Sequence, residues 1–292
     1  MLSEELRRRI EALNRLPLAN PRAQAVGDAP SLQPFPPGKG SITAPHFATG
    51  DGTLVRLVAG CECENAAGKH YRVRQTVDAF WPQATRLFCE NANGALAARV
   101  AHESMHVELA AFAGHFPRST LFLDLETCGF AGSMVFLIGL VWHDDDVWVL
   151  DQLLARDYAE ERAILATLWD VVRRNQVLVT FNGKSFDWPM VLDRSTLHRF
   201  SCETVSATPG THCDLLHHVR RRWKHRLPNC KLQTLEQAVC KRTRHEDISG
   251  ADIPIAYHQF VRTGNARELQ SIMHHNAMDL VTLIEVTVKL AG

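Results

Sequence analysis

The sequence predicts an α/β protein with a mixed β-sheet flanked by helices and a small N-terminal extension of a β-hairpin and helices. Three observations support this fold class. A strand at 121–126 is followed by a wholly apolar strand at 135–142 and a third strand at 147–150. An amphipathic helix is predicted at 157–174, and a short buried strand follows it at 177–181. Strand, hairpin strands, helix and strand in this order are typical of a mixed sheet.

The length of 292 residues allows one large domain or two modest ones. We expect a helix and proline-rich linker over 1–40, a hairpin and helix region over 41–116, and the main domain over 117–292. Lys plus Arg and Asp plus Glu both number 32, so net charge indicates no class of partner. The first residues have no apolar core of signal-peptide length, and the eight cysteines show no disulfide-like spacing. We therefore expect a cytoplasmic protein with no membrane partner, and the sequence predicts no particular protein partner.

The N-terminal third contains short predicted elements. An amphipathic helix follows Ser3 and ends at Pro17, and residues up to 40 are rich in Pro, Ala and Gly. Strands at 54–58 and 71–74, joined by a turn at 65–69, predict the hairpin. Cys61 and Cys63 lie at its corner, and without a second cysteine pair we interpret them as hairpin residues rather than zinc ligands.

A helix is predicted over 94–112 because this stretch is rich in Ala and Leu. His102, Glu103 and His106 in this helix match the letters of the zinc-protease motif. No evident third ligand follows, so we favour a surface helix and keep a zinc peptidase as a remote alternative.

Asp124 and Glu126 stand two positions apart in the first strand of the main domain. Alternate residues of a strand share a face, so the two carboxylates project together. Burying like charges side by side is unfavourable unless a cation balances them, and hard oxygen ligands favour Mg²⁺ or Mn²⁺. The alternative is an edge strand with two solvated acids.

Asp187 follows the strand at 177–181 through a loop that contains Gly183 and Lys184. The carboxyl ends of strands in open α/β sheets are where ligands bind, so Asp187 is a candidate site residue. A helix cap is the alternative, because Pro189 follows in the first helical turn. Lys184 could reach a phosphate from this loop.

The final helix, predicted over 266–290, carries His275 and Asp279 four residues apart. Residues with this spacing share one helix face, whereas His274 points away from the pair. A surface ion pair is the alternative to an active-site pair.

These segments together resemble the three exonuclease motifs of the DEDD superfamily, and 214–236 resembles the YprB-like ribonuclease-H-like group in particular. The resemblance implies a ribonuclease-H-like fold, two divalent ions and 3′→5′ hydrolysis of nucleic acid. It implies metal binding by Asp124, Glu126, Asp187 and Asp279. His275 matches the residue that orients or deprotonates water, although superfamily members that use histidine commonly place it at the position of His274.

Cations are concentrated between residues 219 and 245, where nine Lys or Arg residues accompany one acid, Glu236. Such a run predicts a phosphate-tracking face, or else a merely solvated helix face. Trp223 could stack a base or be buried. The predicted contacts to nucleic acid are Lys184, Arg220, Arg221, Arg222, Lys224 and Arg226.

The predicted function is a metal-dependent 3′→5′ exonuclease that acts on single-stranded DNA or RNA with two Mg²⁺ or Mn²⁺ ions. The alternatives are a non-catalytic nucleic-acid-binding module with the same fold and a ribonuclease-H-type endonuclease. The sequence does not decide between DNA and RNA.

Overall fold

The computed structural model describes residues 54–82, 84, 86, 96, 105–129, 132–145, 147–244 and 247–292. These residues all belong to one compact unit of the chain. The predicted N-terminal helix and linker, and the pair His102–Glu103, lie outside the described residues. None of the described helices is both long and apolar enough to cross a membrane.

The centre of the fold is a mixed seven-stranded sheet with strand order β1-β2-β5-β4-β3-β6-β7. The strands are β1 (Cys61–Asn65), β2 (Gly68–Thr76), β3 (Thr120–Thr127), β4 (Val135–Asp144), β5 (Val147–Leu154), β6 (Val177–Thr180) and β7 (Thr211–Asp214). β3 pairs in parallel with β6, and β6 with β7, whereas the remaining neighbours are antiparallel. The carboxyl ends of β3, β6 and β7 therefore meet at one edge.

Helices cover both faces of this sheet. They are α1 (Leu54–Leu57), α2 (Val77–Phe80), α3 (Val107–His115), α4 (Glu161–Val172), α5 (Asp187–Leu197), α6 (Cys202–Ser206), α7 (Leu215–Trp223), α8 (Leu232–Ala238), α9 (Ile253–Thr263) and α10 (Arg267–Ala291). One core cluster includes α4 and α9, and the other includes α3 and α7. α10 contributes to both, with Leu269 in the first cluster and Leu280 in the second.

The predicted fold class, an α/β protein with a mixed sheet flanked by helices, is confirmed. The predicted strand at 54–58 is wrong, because residues 54–57 form α1 and the strand begins at Cys61. Leu54 and Val58 are buried while Val55 is exposed, which is the period of a helix. Cys61 and Cys63 accordingly lie within an edge strand rather than at the hairpin corner.

The hairpin extends the main sheet, because β2 pairs with β5 from Tyr71↔Leu154 to Thr76↔Val149. The strand predicted at 147–150 continues to Leu154, which provides this pairing. The domain boundary at residue 117 stays a prediction, although strands from both sides of it share one sheet.

Candidate active site

β3 places two carboxylates in the middle of the sheet. The strand runs Leu-Phe-Leu before Asp124, and these apolar residues are fully buried while Asp124 and Glu126 are half-buried. Asp124 lies directly opposite Gly139 of β4, and Gly139 lies opposite Gln152 of β5. A β-bulge follows at Glu126/Thr127, where the strand approaches its end.

Asn276 of α10 lies over Gly139 and joins the three strands. Its Nδ2 donates to Oδ2 of Asp124 at 2.8 Å, and its Oδ1 accepts from Nε2 of Gln152 at 3.0 Å. A Cβ atom at position 139 would lie only 2.1 Å from Oδ1 of Asn276. Only glycine lets the helix approach this closely, so Gly139 sets the position of α10 on the sheet.

Asp187 is the first residue of α5, one position after the N-cap Phe186. The loop before it is shaped by the buried carboxylate of Asp214, which accepts from the backbone N–H of Asn182 at 2.8 Å and of Lys184 at 3.1 Å. Asp214 also caps α7 by accepting from the N–H of Leu216 at 3.1 Å. This one side chain therefore fixes the loop that delivers Asp187.

His275 and Asp279 project from α10, and the loop between α8 and α9 brings two further charges to them. Nδ1 of His275 lies 2.8 Å from Oδ1 of Asp247, and its Nε2 lies 3.6 Å from Oδ2 of Asp279. Arg244 bonds Asp279 and contacts Oδ2 of Asp247 at 3.2 Å and Oε2 of Glu236 at 2.5 Å. His274, in contrast, is exposed and its ring faces Phe80.

Burial and neighbouring carboxylates raise the pKa values of Asp124 and Glu126. Burial raises the pKa of Asp124 well above its usual value, and the charges of three neighbouring carboxylates raise it further. These neighbours are Asp279, Glu126 and Asp187. Burial also raises the pKa of Glu126, followed by the charges of Asp279, Asp187 and Asp247. Burial is the main cause that raises the pKa of Asp187 to about 7.

A divalent cation fits this donor set. Carboxylate oxygens are the ligands that Mg²⁺ and Mn²⁺ prefer, and a bound cation would relieve the repulsion that raises these pKa values. No three of the four predicted acids bring their oxygens within 4.8 Å of one another, since in the described residues only His106, Glu108 and His218 do so. Asp279 is paired with Arg244, which places a cation of the protein beside one of the four acids.

Glu108 lies between His106 and His218 and also contacts the predicted loop lysine. Oε1 of Glu108 accepts from Nζ of Lys184 at 2.7 Å, and Oε2 lies 2.9 Å from Nε2 of His218. Nδ1 of His106 accepts from the backbone N–H of Glu108 and caps α3. Lys184 therefore already has an acidic partner.

Seven of the nine cations in the predicted basic run fall into two groups. Arg220, Arg221, Arg222, Lys224 and Arg226 are all exposed, and within the described chain none of them forms a salt bridge. We call these five residues the basic ridge. Trp223 between them is half-buried and packs against the core, rather than standing free. Arg242 and Arg244, by contrast, pair with acids.

Three residues around the acids were not among the predicted site residues. Asn276 was visible in the sequence beside His275, but its bridge over Gly139 depends on the register of three strands. Asp247 and Arg244 lie in an irregular segment between α8 and α9, where no periodicity indicates which way a side chain points. In the sequence Arg244 belongs to the basic run, and nothing there indicates that it pairs with acids.

Comparison with known proteins gives a consistent family. The chain is 34% identical over 183 residues to YprB of Bacillus subtilis (strain 168), described as uncharacterized, and the match covers 61% of this chain. It covers 43% of YprB, so the chain spans less than half the length of that relative. The predicted resemblance to the YprB-like group is confirmed.

Two solved structures match part of this chain. One is the family B DNA polymerase of Pyrobaculum calidifontis, with a TM-score of 0.48 and 15% identity over 60% of this chain and 24% of that chain. The other is exonuclease I, with a TM-score of 0.34 and 17% identity over 55% of this chain and 42% of that chain. At these scores neither likeness identifies a function.

The family model of the RNase_H superfamily matches residues 121–291. The match begins in the strand that carries Asp124 and ends in the helix that carries Asp279. Because it spans more than half of the chain, the protein belongs to the RNase_H superfamily.

Proposed function

We propose that the protein is a metal-dependent nuclease, and specifically a 3′→5′ exonuclease that acts on single-stranded DNA or RNA. The observation that carries this proposal is the convergence of acids from three separate elements. Asp124 and Glu126 come from β3, Asp187 from the start of α5 and Asp279 from α10, and the charges of the other three raise the pKa of Asp124. A fold gains no stability from such a cluster, which supports the proposal that it holds cations.

Asp124, Glu126, Asp187 and Asp279 would hold two Mg²⁺ or Mn²⁺ ions. Two such ions neutralise the scissile phosphate, lower the pKa of an attacking water and support the leaving oxygen. His275 would accept the proton of that water, and the 3.6 Å distance from its Nε2 to Oδ2 of Asp279 supports this role. Asn276 holds Asp124 in one orientation through a 2.8 Å hydrogen bond.

The exposed cations of the basic ridge support the proposal that the substrate is a polyanion. The five cations of the ridge are exposed and free of acidic partners in the described chain, so they are available to phosphates. Lys184 is a weaker candidate contact, because Glu108 already balances its charge. The seven described cysteines are all free, which fits the reducing cytoplasm that we propose as the location.

The test uses a single-stranded oligonucleotide labelled at its 5′ end, incubated with the protein and Mn²⁺. We expect a ladder of products shortened from the 3′ end, no products with chelator, and a loss of activity of about 10³-fold or more in Asp124→Asn and Asp279→Asn. A loss of this size is expected when a residue that the transition state requires is removed. Binding of Mn²⁺, measured by calorimetry, should weaken in the same two variants.

Asp170→Asn is the matched control, because Asp170 is an exposed aspartate on α4 that forms an ion pair with Arg173. It should retain full activity and Mn²⁺ binding. Cleavage of a circular single strand, or of an end-blocked RNA within a hybrid, would contradict exonuclease action and indicate an endonuclease. Binding without products would indicate a non-catalytic module, and full activity in Asp124→Asn would remove the acids from the mechanism.

A further inference from the structure

Asp247 is a fifth carboxylate near the acid cluster, and its contacts distinguish it from the other four. It is half-buried in the loop between α8 and α9, and its charge helps to raise the pKa of Glu126. Proximity alone would make it another candidate cation ligand. The partners of its two oxygens indicate a different role.

Both oxygens of Asp247 are engaged by side chains. Oδ1 lies 2.8 Å from Nδ1 of His275, and Oδ2 lies 3.2 Å from Nη1 of Arg244. Arg244 is itself fixed, because it also bonds Glu236 and Asp279 and its side chain is only 7% exposed. Asp247 is therefore held at one end by a buried guanidinium and presents its other end to the imidazole.

These contacts determine the tautomer of His275. A carboxylate paired with a guanidinium only accepts hydrogen bonds, so Nδ1 of His275 must carry a hydrogen and donate it to Oδ1 of Asp247. In the neutral ring the lone pair then lies on Nε2, on the side of Asp279. A histidine that accepts a proton beside the acid cluster needs an unshared lone pair on this nitrogen.

We propose that Asp247 is a positioning residue that fixes the ring orientation and tautomer of His275, and that it is not a cation ligand. The proposal rests on the proposed function of this site. Asp247→Asn is a sharp test, because the fixed Arg244 needs an acceptor and so turns the amide NH₂ toward His275. Nδ1 then has to accept, and the hydrogen moves to Nε2. A comparable Asp→Asn change behind a catalytic histidine lowers kcat by about 10⁴-fold.

Three measurements on Asp247→Asn separate the possible roles. We expect kcat on the labelled oligonucleotide to fall by about 10²- to 10⁴-fold with little change in KM. Mn²⁺ binding by calorimetry should keep the wild-type stoichiometry and affinity. Long-range ¹H–¹⁵N NMR of the side chains, in protein treated with chelator, should show the hydrogen of His275 on Nδ1 in the wild type and on Nε2 in the variant. The ring signals that are missing from the spectrum of His275→Gln are those of His275.

Asp252→Asn is the matched control, because Asp252 is an exposed aspartate in the same loop and its side chain makes no cap hydrogen bond. It should leave all three measurements unchanged. Loss of a Mn²⁺ ion in Asp247→Asn would show a cation ligand and overturn the proposal, as would a wild-type His275 with its hydrogen on Nε2. The wild-type NMR measurement decides even if the variant fails to fold. If the wild type binds Mn²⁺ but cleaves nothing, the proposed function fails while the NMR result still tests Asp247.

Discussion

The basic ridge and the pair Arg242–Arg244 lie close together in the sequence, yet their surroundings are opposite. The ridge residues are exposed and form no salt bridge within the described chain. Arg242 bonds Glu285 and lies over the ring of Trp81, and Arg244 joins Glu236, Asp247 and Asp279. A run of like charges in a sequence can therefore contain both exposed cations without acidic partners and the internal counterions of a site.

The two groups should respond differently to substitution. A buried arginine that balances several carboxylates contributes mainly to stability and to the arrangement of the site. An exposed arginine without a partner contributes little to stability and acts on distant phosphates through its charge.

The largest effect is expected for Arg244→Gln. This change leaves Asp279 without its guanidinium partner, and it leaves the buried Glu236 with only Arg242, whose Nε lies 3.6 Å from Oε1. Removal of one partner from a buried ion pair costs about 3–5 kcal/mol, and we expect a loss of this size in the free energy of unfolding measured with urea. Arg226→Gln is the control on the ridge and should change it by less than about 0.5 kcal/mol. Equal losses in the free energy of unfolding of the two variants would contradict the distinction between paired and unpaired arginines.

A smaller effect, on binding alone, is expected when Arg220, Arg221 and Arg222 are all replaced by Gln. Each cation that neutralises a phosphate of a single strand releases about 0.7 counterion, so the slope of log affinity against log salt should fall by about 2. Fluorescence anisotropy with a labelled oligonucleotide and Asp124→Asn protein measures this without cleavage. An unchanged slope would remove the ridge from the interface. Urea unfolding of the triple variant should match the wild type.

The smallest effect is expected for Lys184→Met, because this lysine is exposed yet paired with Glu108 at 2.7 Å. An exposed ion pair contributes less than about 1 kcal/mol, and a cation already balanced by an acid releases few counterions on binding. The matched variant Lys224→Met, on the ridge, should lower the salt slope by about 0.7. If Lys184→Met lowers the slope as much, pairing with an acid does not decide which cations bind phosphate.

The fold class followed from the sequence because its main signals are local. Apolar runs at 135–142 and 177–181 and the periodic helix at 161–172 are visible without knowledge of the rest of the chain. The strand predicted at 54–58 failed because five apolar and basic residues do not distinguish a helix from a strand. The addition of the hairpin to the sheet depends on a pairing with β5 that no local pattern encodes.

The candidate site was partly predictable for a related reason. Asp124, Glu126, Asp187, His275 and Asp279 stand in regular positions of strands or helices, so spacing indicates which face they share. Asp247 and Arg244 stand in a segment without a repeating backbone geometry, and only the folded chain brings them to His275 and Asp279. Whether these side chains bind ions together is what the Mn²⁺ measurements test.

The contact of Asn276 with Asp124 also affects how the protein folds. The two residues are 152 positions apart in the chain, and they meet only when α10 lies flat against Gly139. Contacts between such distant residues form slowly, because a large loop must close before they are made. Because Asp279 lies on the same helix as Asn276, the four proposed cation ligands come together only once this long-range contact forms.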